Sequence, residues 1–364
     1  MGEESEEQIK QKYGNLKIVW HHEKLNDLLN KKITAPISVR LKPTNKCNHK
    51  CFFCSYAPEF EYVLSEKLKR NDEIPKEKII EILDNFKEMG VKTVTYSGGG
   101  EPLIYPHIVD ALKKTIENGI ELSIITNGQW LDGERAELLT GARWVRISID
   151  ACNAKTFSES RHVPESFFDK LVENIRQFAK NKKSGCELGI NFVVHEKNCD
   201  EVYASAVLFK ELGANHIKFT PLYTPRNFET YHTPFKEKVI AQIKKAKKDI
   251  QDSKFAIYDT YENDFNLGSK NRRCYKKCYI MQTVPVIGAD CEVYFCHDKA
   301  YSSDGSLGSI KTKSFKDLWF SEETANIFEN FNPIEGCPHH CTYDARNIFL
   351  TEAINCFGEH VNFI

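Results

Sequence analysis

From Pro36 to about residue 222 the chain alternates short apolar runs with helical patterns, and this alternation restricts the fold more than any other feature of its 364 residues. Apolar runs at 37–41, 91–96, 122–126, 144–149, 188–194 and 217–222 read as strands. Helical patterns occupy 75–89 and about 106–118, 133–140, 166–180 and 200–212. In the first of these Ile79, Leu83 and Phe86 share a face, Pro75 suits the opening turn and Gly90 supplies the stop. Strands joined through helices run parallel, and right-handed crossovers curl such a sheet with its helices outside. Six units predict an α/β fold, a (βα)6 partial TIM barrel, with its ligand site at the carboxyl ends of the strands.

The loop leaving the first strand reads CNHKCFFC and places Cys47, Cys51 and Cys54 at a three-then-two spacing. Three thiolates cannot complete the tetrahedral shell of a structural zinc or give each iron of a four-iron cubane its own cysteine. One corner is left for a ligand that brings its own donors. A zinc knuckle is the alternative on these residues alone. After the second strand come Gly98, Gly99, Gly100, Glu101 and Pro102. Consecutive glycines let a backbone approach a ligand closely, and Glu101 offers an acceptor to a cationic amine. Asn127 and Gly128 end the third strand, and Ser148 and Asp150 end the fourth.

Ten of the thirteen cysteines fall at 47–54 and 274–356, with Cys152, Cys186 and Cys199 scattered. That clustering favours metal ligation over a disulfide framework. Lys+Arg 50 against Asp+Glu 51 gives a net charge of −1, so no global field favours nucleic acid or an anionic membrane. The acidic start MGEESEEQIK is unlike a signal peptide and no 18-residue apolar run occurs. A soluble, cytoplasmic protein is expected. A helix at roughly 235–252 has Phe235, Val239, Ile243 and Ile250 on one face and lysines on the other, a solvated surface.

The three-cysteine loop with the glycine-rich element resembles the radical S-adenosylmethionine (SAM) superfamily. The resemblance implies a [4Fe–4S] cluster on Cys47, Cys51 and Cys54, its open iron chelated by SAM. Gly99, Gly100, Glu101 and Pro102 match the family's Gly-Gly-Glu-Pro element at the SAM amino group, and Phe53 matches the aromatic position beside the adenine. Asn127 and Ser148 fall at strand ends that meet SAM, and Arg161 fits the arginine that pairs its carboxylate. The family's opening chemistry is reductive cleavage of SAM to a 5′-deoxyadenosyl radical, with an electron donor such as flavodoxin or ferredoxin as partner.

Cys278 and Cys296, then Cys337 and Cys341, form two further pairs. They resemble the auxiliary-cluster regions called SPASM and twitch domains, and one second [4Fe–4S] cluster, the twitch form, is the better fit because the SPASM run of four cysteines is missing. Zinc at these four remains the alternative, and Cys274, Cys291 or Cys356 are candidates to replace one of them. His297, Asp298, His339 and His340 neighbour these cysteines without an assigned role. The organisation expected is a lead-in at 1–35, a barrel at 36–225, a helical connection at 226–270 and a small auxiliary-cluster domain at 271–364.

A second cluster implies redox chemistry. The leading expectation is oxidation of a sugar or aminocyclitol hydroxyl to a ketone, the reaction of the aminocyclitol dehydrogenase that the Cys278–Cys296 interval resembles. Modification of a precursor peptide is the first alternative, and the 35 residues before the barrel are too few for the peptide-recognition domain common among such relatives. GTP cyclisation is disfavoured because the family's glycine-rich tail is absent. A non-catalytic iron–sulfur or zinc protein is the reading from another class.

Overall fold

The computed structural model describes residues 14–56, 66–224, 228–262, 273–337 and 341–356. Its core is one ten-stranded sheet: β1 (Ser38–Leu41), β2 (Thr93–Tyr96), β3 (Glu121–Thr126), β4 (Trp144–Ser148), β5 (Glu187–Val194), β6 (His216–Pro221), β7 (Ala256–Asp259), β8 (Val286–Ile287), β9 (Glu292–Tyr294) and β10 (Ser306–Ser309). The order is β10-β9-β8-β1-β2-β3-β4-β5-β6-β7. Every pair from β8 through β1 to β7 is parallel, and β9 and β10 turn back antiparallel. The fold is a partial barrel with an added C-terminal module.

Alternation along the strands sorts the two faces. Val39 and Leu41, Leu122 and Ile124, Val145 and Ile147, Ile190 and Phe192, and Ile217 and Phe219 are buried in the main core with the flanking helices. The helix Lys76–Met89 supplies Ile79, Ile82, Leu83 and Phe86 to that core. It ends at Gly90, whose φ of 71° lets Val91 N–H return to the Phe86 carbonyl at 2.9 Å.

Two elements were not legible in the pattern. The helix Ala154–Arg161 reads AKTFSESR, with Phe157 its one large apolar residue; it forms because the Asn153 side chain accepts from Thr156 N–H at 2.9 Å and Phe157 is buried. The segment 226–270, expected as a helical connection, holds the helix Lys236–Ile250 and then β7, which pairs parallel with β6 and takes the sheet past six strands. Ile257 is its one fully buried position, too short an apolar run to register as a strand.

The C-terminal module is built onto the barrel. β8 pairs with β1, Phe315 packs on Phe86 with ring centroids 5.3 Å apart, and the buried Trp319 Nε1–H donates to the Thr34 carbonyl at 2.9 Å. Among the described residues no helix is long and apolar enough to cross a membrane.

Candidate active site

The cysteine loop leaves the carboxyl end of β1 and is held by its surroundings. The Lys46 carbonyl accepts from Glu101 N–H at 2.8 Å, and Lys50 and Phe52 donate their N–H groups to the Arg161 and Ser160 carbonyls at 3.0 and 3.2 Å. Asn45 Oδ1 accepts from the Tyr301 hydroxyl at 2.6 Å, so the C-terminal module also grips the loop's approach. A loop carbonyl is thus satisfied by the β2 turn, and two loop amides by the end of the helix Ala154–Arg161.

The glycines after β2 face this loop. A Cβ on Gly100 would lie 1.9 Å from the Lys46 carbonyl oxygen, and one on Gly99 would lie 2.3 Å from Asn45 Oδ1. Close packing of two loops is therefore one requirement for glycine here, beside any approach to a ligand. Glu101 is buried, and its Oε1 accepts from Leu103 N–H at 3.0 Å and from the Thr126 hydroxyl at 2.5 Å, while Oε2 accepts from Asn127 N–H at 2.6 Å. A carboxylate has about four acceptor positions, so one remains. Burial pushes its pKa up and these donors pull it back.

Asn127 has its side chain tied to Asn48 Oδ1 at 2.8 Å, directly beside Cys47. Ser148 is half-buried at the end of β4, and its hydroxyl has no hydrogen bond to a described residue. Arg161, expected to meet a ligand carboxylate, is buried and ion-paired with Asp150, whose other oxygen accepts from Val193 N–H at 2.7 Å. Its Nη1 faces Cys51 Sγ at 3.8 Å and His49 Nδ1 at 3.5 Å. Phe53 stacks on His195, centroids 5.4 Å apart and planes 30° from parallel, with Phe52 edge-on to the same ring. His195 is fully buried, and burial with the Arg161 charge pulls its pKa down to about 3.

Asp150, His49 and His195 form this surround and carry no assigned role in the sequence reading. His195 follows directly on β5 and Asp150 lies two residues past β4, positions at which a polar residue is commonly only a turn residue.

The second cysteine set converges. Cys278, Cys296, Cys337 and Cys341 line one largely enclosed cavity, walled by Ile280, Met281, Phe295 and Phe331. The three candidate substitutes do not line it: Cys291 is buried in the main core, and Cys274 and Cys356 are exposed. Asn347, fully buried, donates from Nδ2 to Cys278 Sγ at 3.3 Å and accepts from Ile280 N–H at 3.1 Å. His297 and Asp298 sit beside Cys296, their side chains 3.0 Å apart, while His339 and His340 lie outside the described residues.

The thiols say what they would hold. Burial, reinforced by neighbouring thiols, pushes Cys47 and Cys278 up to about 12 and Cys337 to about 11, so thiolates form there only against a compensating cation. Among the described residues Cys296, His297 and Asp298 are the one group of three possible metal donors within 4.8 Å of one another.

Family models agree with the chemistry: residues 41–206 match the radical SAM superfamily, and residues 278–342 match the SPASM iron–sulfur cluster-binding domain. The chain carries a radical SAM domain followed by a SPASM iron–sulfur domain. With those domains come a [4Fe–4S] cluster, SAM and auxiliary iron–sulfur binding.

Among relatives, a protein named as a probable GTP 3′,8-cyclase of Saccharolobus islandicus is 29% identical over 194 residues, 51% of this chain and 56% of the relative. The S-adenosylmethionine-dependent nucleotide dehydratase of Flammeovirga pacifica is 29% identical over 171 residues, 45% of this chain and 56% of the relative. The chain thus spans about half the length of the curated relatives it matches. Two solved radical SAM structures share the fold. Streptococcus suis SuiB bound to SAM has a TM-score of 0.60 at 17% identity, over 79% of this chain and 66% of SuiB. The enzyme anSMEcpe with bound SAM has a TM-score of 0.59 at 18% identity, over 90% and 97%.

Proposed function

We propose that this radical SAM protein takes hydrogen from a polar small molecule and oxidises a sugar or aminocyclitol hydroxyl to a ketone. The supporting observation is the gathering of Cys278, Cys296, Cys337 and Cys341 on one cavity, in a module whose strand β8 is paired to β1, the strand leading into Cys47. An alcohol oxidation must dispose of a second electron, and an acceptor fixed in the same sheet suits that need.

In this reading Cys47, Cys51 and Cys54 hold the cluster, and Cys278, Cys296, Cys337 and Cys341 hold the acceptor. When bound, the first cluster with SAM supplies a carbon radical able to take hydrogen from an unactivated C–H bond. The chain's own residues orient and seal. Glu101, with three of its acceptor positions filled, is locked in place and keeps the fourth for the SAM ammonium. Phe53, with Gly99, Gly100, Asn127 and Ser148, completes the SAM surround. The Phe52, Phe53 and His195 rings pack into an apolar wall that excludes water. Arg161 lies within reach of Cys51 while Asp150 holds it, so it serves the loop as a fixed positive charge.

The test is anaerobic turnover of the iron-loaded chain against sugars and aminocyclitols. The expected result is one 5′-deoxyadenosine per product, with the product lighter by two hydrogens. A product of unchanged mass removes the dehydrogenase reading. A second reading, dehydration or cyclisation of a nucleotide, is favoured by the activities in the names of the relatives, and it yields a product lighter by one water or unchanged. Peptide modification draws on the fold likeness to SuiB, whose solved forms include one bound to the precursor peptide SuiA. A zinc-loaded chain that never cleaves SAM would return the protein to the non-catalytic class.

A further inference from the structure

The cysteine loop is bracketed by two carbonyls, and both are tied to the glycine turn after β2. On the entry side the tie is direct: the Lys46 carbonyl, just before Cys47, accepts from Glu101 N–H at 2.8 Å. On the exit side it is made by a side chain brought in from further along the chain. Arg70 Nη2 donates to the Tyr56 carbonyl, two residues past Cys54, at 2.6 Å, and Nη1 of the same guanidinium donates to the Gly99 carbonyl at 3.3 Å. One planar group therefore spans from the loop's exit to the turn.

Arg70 is carried on a strap that is itself fastened around the site. Residues 66–74 form no helix or strand, and their one ladder contact is the isolated bridge from Glu73 to Thr44. Bonds to the loop's approach and to the C-terminal module fix them instead. Asn45 donates from its N–H to the Asp72 carbonyl and from Nδ2 to the Lys69 carbonyl, both at 3.0 Å. Ile74 N–H donates to the Pro43 carbonyl and Lys67 N–H to the Tyr301 carbonyl, both at 2.9 Å. Leu68 and Tyr56 pack against the Tyr294 and Tyr301 cluster, and a Cβ on Gly99 would lie 2.8 Å from Leu68 Cδ1. A strap anchored at this many points holds the half-buried guanidinium against both carbonyls.

Arginine on backbone carbonyls is a common loop clamp, so the weight lies on which two carbonyls are joined. SAM has to meet the open iron held by Cys47, Cys51 and Cys54 and, with its amino group, the turn at Gly99–Glu101. A ligand that engages two places at once loses strength when their separation changes. We propose that Arg70 is a positioning residue for SAM: its guanidinium holds the exit of the cysteine loop and the Gly99 carbonyl at a fixed separation, so that iron and turn are presented together. The inference rests on the assignment of the loop and the turn to SAM and is independent of the substrate. Lysine does not replace this arginine, because one ammonium on a flexible stem lacks the planar pair of donors that reaches two carbonyls.

The test is anaerobic calorimetric titration of SAM into the iron-loaded full chain, unsubstituted and as Arg70→Gln and Arg70→Lys, with no reductant present. Both variants should keep about eight irons per chain and an unchanged SAM stoichiometry, and bind SAM about tenfold more weakly for the loss of two charge-assisted hydrogen bonds. Initial rates of 5′-deoxyadenosine formation with dithionite should show the same split, a raised KM for SAM with kcat within about twofold. A merely structural role lowers the iron content and the SAM stoichiometry at unchanged affinity, and that result overturns the inference. So does a loss of affinity smaller than about threefold in Arg70→Gln, or an Arg70→Lys that restores the unsubstituted affinity and leaves only the charge. If the unsubstituted chain binds no SAM with its iron in place, the assignment of the site to SAM falls together with the inference. If it binds SAM and the variants bind it equally, only the role of Arg70 falls.

Discussion

The two cysteine sites are built in opposite ways. The first comes from eight consecutive residues at a strand end, and its shape is imposed from outside by the glycine turn after β2, the carbonyls of Ser160 and Arg161, and Tyr301. The second draws its thiols from segments far apart in the chain and is enclosed by its own apolar wall. A site compact in sequence depends on its neighbours for form. A site dispersed in sequence depends on the fold to exist at all.

The largest effect should separate their chemistry. Cys47→Ala, Cys51→Ala or Cys54→Ala should abolish 5′-deoxyadenosine formation and lower the iron content from about eight to about four per chain. Cys278→Ala with Cys337→Ala should lose the same amount of iron, keep SAM cleavage and lose the oxidised product. Iron analysis with product mass checks both, and loss of SAM cleavage in the second variant would break the division of labour.

Next comes the dependence on neighbours. Gly100→Ala drives a methyl group into the Lys46 carbonyl, a strain of about 1–3 kcal/mol. It should loosen the first site and lower iron retention there, measured after gel filtration under argon, while leaving the second cluster's spectrum unchanged. In the mirror experiment Asn347→Ala leaves the buried Ile280 N–H without its acceptor, at a cost of about 1–3 kcal/mol, and removes the N–H donor from Cys278. The auxiliary potential should move negative in a redox titration, because a hydrogen bond to a ligand sulfur stabilises the reduced state. An unmoved potential would show that Asn347 only packs.

How much of this was legible followed the same contrast. The CNHKCFFC loop and the Gly99–Glu101 turn announce themselves because local spacing encodes them. The four cavity cysteines were readable as two pairs, but their union on one cavity was not, since the apolar wall joins Phe295 to Phe331 and Met281 across distant segments. Six strands were visible through their apolar periodicity, whereas β7 and the helix Ala154–Arg161 are specified by tertiary contacts more than by pattern. Arg161 was legible as a cation near the site, but its commitment to Asp150 was not, because nothing in the local run distinguishes an ion pair from an open charge.

The last expected effect, confined to acid pH, concerns stability. His195 has an ordinary pKa of 6.5 when unfolded and about 3 in the folded chain, so the unfolded state binds the extra proton first. Its contribution is fully present above pH 6.5 and is lost as pH falls from there through about 3. His195→Gln should flatten that part of the stability–pH profile measured by urea unfolding, and an unchanged slope would show that another group titrates there.

The bond from Tyr301 to Asn45 joins residues 256 positions apart, and β1 lies between β2 and the late-arriving β8. During synthesis the loop's approach therefore waits for nearly the whole chain to emerge, with β1 as an open edge until then. Nascent chains stalled before residue 286 should retain iron poorly at Cys47, Cys51 and Cys54, which makes the C-terminal module a checkpoint on when the first cluster can be safely installed.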